Sequence, residues 1–182
     1  MKTKDCPNLN KHLGKFKKLI HDCLHRRAIF ENVLESIKNP NVLNGNTFLA
    51  FYQVDYLRSQ LADLRKFFDQ DSRVYQFSYI TNHLNSKKLK NKHHNLSQKW
   101  QRDFKDSANK ISFHQEKNYS PKLLNVKNFN KFLNSMKSYF DEIHDSLYKD
   151  GFELISNDFL EPDLLKESHQ KHFENFLEST RT

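Results

Sequence analysis

"FNKFLNSMKSYFDEIHDSLYKDG", residues 129–151, decides the fold class. Phe129, Phe132, Met136, Phe140, Ile143 and Leu147 step by three and four, which puts them on one stripe of an α-helix. Gly151 follows the last turn, where a left-handed C-cap is wanted.

The same period recurs on both sides. Residues 11–37 read as a long first helix on Leu13, Phe16, Ile20, Cys23, Phe30, Leu34 and Ile37, with Arg27 interrupting the stripe once. "NPNVLNGN", 39–46, ends it through Pro40 and Gly45, and Asn46 or Thr47 is placed to cap a second helix. That helix buries Leu49, Tyr52, Tyr56, Leu57, Leu64 and Phe68. A third, capped by Asp71 or Ser72, carries Val74, Phe77, Ile80 and Leu84. "NSKKLKNKHHN", 85–95, is basic and poorly periodic, and reads as a loop or frayed end. A fourth helix then starts near Leu96 and uses Leu96, Trp100, Phe104, Ala108 and Ile111, until Pro121 forces its predecessor out of helical geometry. "FELIS", 152–156, has no clear state, and Pro162 suits the first turn of a last helix with Leu165, His172, Phe173 and Phe176 inward.

Glycine and proline are scarce, at three and four, and most of them fall at these breaks. Local and global signals therefore agree on an all-α bundle of five to six helices. It forms one domain over 1–182, with a core at about 10–150 and a helical extension at 151–182.

The formal charge of +8 favours an anionic partner, or else a lysine- and asparagine-rich surface that keeps the chain in solution. Cys6 and Cys23 make no CxxC pair, which suits a reducing compartment. "MKTKDCPNLNKHLGK" lacks the apolar stretch of a secretory signal, and no run is long enough to span a bilayer. The expectation is a soluble cytoplasmic protein with no membrane association.

Gly-rich phosphate loops, HExxH and the nucleophile elbow are all missing. "HDCLH" sets His21 and His25 one turn apart, but Cys23 points elsewhere and no third ligand is implied. No metal or other cofactor is expected. The alternating Arg and Asp of 51–71 read as an ion-pair face. "SANKISFHQEK", 107–117, is the remaining candidate. On a continuous helix Lys110, His114 and Lys117 share one face, where the cations would attract phosphate and hold the imidazole neutral, as a base. A histidine among lysines is equally the composition of an ordinary solvated face.

The order of elements resembles the HEPN superfamily, in particular its abortive-infection branch of phage-defence proteins. The resemblance is carried by the long first helix, by "FYQVDYLRSQLADLRKFFDQDS" (51–72) and by "RVYQFSYITNHL" (73–84). It ends on "ANKISFH" (108–114), where Asn109, Lys110 and His114 match a motif of arginine, polar residues and a following histidine. It implies a metal-independent endoribonuclease acting as a homodimer. His114 would exchange protons with the 2′-hydroxyl or the leaving group, and Asn109 would hold the motif's geometry. The family arginine would neutralise the scissile phosphate, for which its planar fork is suited.

Ala108 stands at the arginine position. The chain is then either a member without catalysis, kept as a scaffold or silent partner, or an active enzyme impaired by an arginine-to-alanine change. Lys110 and Lys117, with Lys87, Lys88, Lys90 and Lys92 upstream, are the expected RNA-binding residues. The expected partners are RNA, a second copy of the chain, and an antitoxin or other protein of a defence complex. The surplus of aromatic residues, sixteen Phe among them, is consistent with a buried dimer face. A non-catalytic helical interaction subunit, with or without RNA binding, is the reading from another class.

Overall fold

The stripe running down 129–147 is buried along its whole length. Phe129, Phe132, Met136, Phe140, Ile143 and Leu147 have almost no exposed surface, and Leu133 and Tyr139 join them. The structure is a computed structural model that describes residues 7–36, 47–68, 77–108, 125–154 and position 171. Among these the architecture is all-α: α1 (Pro7–Ser36), α2 (Thr47–Phe68), α3 (Phe77–Asn82), α4 (Lys87–Asp103) and α5 (Val126–Lys149). One further helical turn covers 105–108. α1 packs against α2, α3 and α5, while α4 lies on α5 and touches α3.

Helix α5 is bounded by local chemistry at both ends. The Asn125 side chain accepts from the Asn128 amide, satisfying one of the free donors of the first turn. At the other end the Gly151 amide bonds the Tyr148 carbonyl and the Phe152 amide bonds the Leu147 carbonyl, with Gly151 at φ +85°. This paired closure is a Schellman motif, and only glycine enters its left-handed position without strain. The start of "FELIS" is thereby settled: it turns back onto the bundle, Phe152 and Leu154 pack on the core, and the Asn10 amide group of α1 donates to the Glu153 carbonyl at 2.7 Å.

Inside, aromatic rings from all five helices meet. Phe132 lies within ring-contact distance of Phe68, Trp100 and Phe104, and Phe16 contacts Phe67 and Phe77. Truncating Phe132 to alanine would cost roughly 3–5 kcal/mol through reduced burial and the cavity left behind. Among the described residues the aromatic side chains pack in or against the core, and Tyr148, 70% exposed, is the one large exposed hydrophobic. Abundance of phenylalanine is therefore no argument for a dimer face on this part of the molecule.

Several expectations shift. α1 begins four residues earlier than its periodicity suggests, because Leu9 continues the stripe inward from the Pro7 start. The third helix is short, closing through bonds from His83 to Ile80 and from Leu84 to Thr81, the tighter i to i−3 pattern. The largest correction concerns 85–95: it is not a loop, since α4 already starts at Lys87. The caps expected at Asn46, Asp71 or Ser72, the breakers Pro40, Gly45 and Pro121, and the inward residues of the last helix all lie outside the described residues.

Candidate nucleic-acid interface

Helix α4 forms because its first turn is capped and its inward positions are apolar. Ser86 has extended backbone angles, and its hydroxyl accepts from the Leu89 amide at 3.3 Å. Leu89, Leu96 and Trp100 are buried, and His93 lies inward between them. Counting His93 as a core residue turns 89, 93, 96 and 100 into a helical stripe spaced four, three and four. That is the signal a purely apolar count misses.

The outward positions carry a different character. Lys87, Lys90, Asn91, His94, Gln98 and Gln101 fall on one outward stripe of the helix, and all of them are exposed. Residues 87–102 contain no aspartate or glutamate. Among the described residues Lys87 and Lys90 have no carboxylate partner, while Lys88 acts on Glu142 without forming a contact pair. Lys92 differs: its ammonium donates to Glu142 of α5 at 2.6 Å. Negative charge returns only at Asp103, where bonds from Arg102 and Lys99 hold the carboxyl down at about 2.

His93 is the inward histidine of the pair. Its ring sits between Phe77 at 5.5 Å and Tyr139 at 6.1 Å, and its Nε2 lies 3.5 Å from the Ser97 hydroxyl. Nδ1 has no partner among the described residues, nor does the buried Tyr139 hydroxyl. Burial, aided by the neighbouring His94, lowers the imidazole pKa, so the ring is neutral in the core.

At its far end α4 stops at Phe104, whose backbone (φ −130°, ψ −26°) leaves helical geometry while its amide still bonds the Trp100 carbonyl. One more turn follows, with the Ala108 amide bonded to the Phe104 carbonyl at 2.8 Å. Ala108 is fully buried in the core. The fourth helix is therefore interrupted rather than continuous, so face counts from 96 cannot be carried past 104 unchanged. Asn109, Lys110, His114 and Lys117 lie outside the described residues, and so does Ile111.

Helix α1 places His21 and His25 with ring centroids 6.2 Å apart. Cys23 between them faces the core, where burial pushes its thiol up to about 12. The described residues contain no cluster of three or more metal donors, and no described helix is long and apolar enough to cross a membrane. The chain matches no family model, no curated protein and no solved structure in comparisons with each.

Proposed function

We propose that this chain binds RNA along the outer stripe of α4, as a HEPN-type helical bundle of a defence or toxin–antitoxin system. The observation that carries the reading is the carboxylate-free display of Lys87, Lys90 and His94 on one capped helix that leads in sequence to the 108–114 motif. Such a row releases counterions from a phosphate backbone and gives affinity that falls steeply with salt. Amide side chains at 91, 98 and 101 add neutral donors for phosphate and sugar oxygens. Pairing of two chains and a protein partner from a defence complex belong to the same proposal.

Catalysis is the further step. In a cleaving form His114 and Asn109 need a phosphate-neutralising cation beside them, and Ala108 supplies only a methyl group buried in the core. That burial favours the version in which the chain as it stands binds RNA and leaves it intact.

The test is fluorescence anisotropy of a labelled single-stranded oligoribonucleotide across a salt series. Lys87→Glu combined with Lys90→Glu should weaken binding and flatten the salt dependence by about 0.7 in slope for each phosphate no longer neutralised. Unchanged affinity and slope in the double variant would remove α4 as the interface. Intact RNA after incubation in EDTA is the expected companion result; cleavage that His114→Ala abolishes would restore the nuclease reading.

A further inference from the structure

A cleft of about 460 Å³ opens between the C-terminal half of α1 and the first turns of α5. Three cations, Arg27, Lys127 and Lys131, line it against one carboxylate, Glu31. Arg27 is the residue that breaks the apolar stripe of α1, and the structure gives the reason. Its Nε donates to Glu31 at 2.8 Å and its Nη1 donates to the Asn134 side-chain oxygen at 2.7 Å. Asn130 donates to the same Glu31 oxygen at 3.3 Å and accepts from the Tyr56 hydroxyl at 2.9 Å.

The chain of bonds from Tyr56 through Asn130 and Glu31 to Arg27 fixes the guanidinium plane and leaves Nη2 uncommitted among the described residues. Both bonds to Glu31 end on its Oε1, so part of the carboxylate's charge is taken up by groups the chain already holds and it repels an incoming anion less. Lys127 and Lys131 stand one turn apart on α5, with no carboxylate partner among the described residues. Phe30, Leu34 and Val126 supply an apolar wall.

We infer that this cleft is a binding site for a phosphate monoester carried on a nucleoside, either a free nucleotide or the terminal phosphate of an RNA strand. The RNA source rests on the function proposed above; the free nucleotide does not. A compact dianion answers two lysines and the free Nη2 of an oriented guanidinium better than a singly charged carboxylate or a diester. The volume lies within the range of small-ligand pockets, and the apolar wall gives a base or sugar a surface to cover. The position fits the proposed path of RNA: Phe104 packs on Phe129 at 5.6 Å, so the end of α4 and this cleft meet the same opening turns of α5.

The experiment measures binding of AMP by calorimetry, and of one oligoribonucleotide in unphosphorylated, 5′-phosphorylated and 3′-phosphorylated forms by anisotropy. The expected result is about tenfold tighter binding of one phosphorylated form, the scale of a single charge-assisted hydrogen bond. Lys127→Glu with Lys131→Glu, both outside the buried core, should erase that ratio and leave unphosphorylated binding in place. Lys87→Glu with Lys90→Glu should weaken all forms and preserve the ratio. AMP bound by the native chain but not by the Lys127/Lys131 variant, with no RNA binding at all, sustains the cleft as a free-nucleotide site while the RNA function fails. No phosphate preference and no AMP binding, or either one persisting in the Lys127/Lys131 variant, overturns the inference.

Discussion

Lys92 of α4 and Glu142 of α5 are joined across the helix pair at 2.6 Å, 50 residues apart in the chain. Four lysines crowd residues 87–92, yet this one alone among them contacts a carboxylate among the described residues. The basic run therefore divides into a fastening and a display.

Lys92→Gln should leave RNA affinity close to native and lower stability by at most about 1 kcal/mol, since the pair is half-exposed and partly screened. Urea unfolding and anisotropy on the same sample check both halves. A drop in RNA binding as large as that from Lys90→Gln would show that the fastening also touches RNA.

Stability should fall on acidification below neutrality, and His93 should account for part of it. Its folded pKa is lowered from 6.5, so in the window just below 6.5 the unfolded chain binds more protons than the folded one. Stability is then complete above about 6.5 and declines as pH drops toward the folded value. His94 on the same helix adds to the cost of a charged ring. His93→Leu should flatten the melting-temperature profile between about pH 7 and pH 5 relative to the native chain. Parallel profiles would place the acid sensitivity in other groups.

Ala108→Arg should destabilise the bundle by roughly 3 kcal/mol or more, because a guanidinium at a fully buried position has no partner provided for it among the described residues. Ala108→Ser, which adds one hydroxyl, should cost much less. Thermal melts rank the two. An arginine variant that melts like the native chain and cuts RNA would mean that position 108 has an outlet to solvent, and would return the motif to catalysis.

Gly151→Ala should cost about 1 kcal/mol through backbone strain alone, since a Cβ there meets nothing within 4 Å while φ is +85°. Gly151→Asn should recover part of that stability, because asparagine tolerates the left-handed region. Equal stability of both variants with the native chain would show that the Schellman closure is dispensable.

Much of the fold was legible from period alone. The stripes of α1 and α5 and the Gly151 turn follow from apolar spacing and a single missing Cβ, both local properties. Residues whose state depends on distant neighbours were not. The 85–95 segment looks like loop because lysine and asparagine dominate it, and its helix rests on a serine cap and on α5, whose Phe132 stacks on Trp100. Leu61 and Phe67 of α2 are buried beyond the expected face, and Gln60 is buried with them because its amide reaches the Cys23 carbonyl at 2.7 Å. Of the candidate site, the lysines were legible as charges. Which one is clasped by Glu142, and why Arg27 breaks a core stripe, are set by residues 50 and 107 positions away.

Tyr148 stands by itself as a large oily ring on the described outside of the molecule. The described faces have little to offer a partner in the form of greasy contact. Assemblies formed through these faces will come apart on raising ionic strength and will ride through mild detergent unchanged.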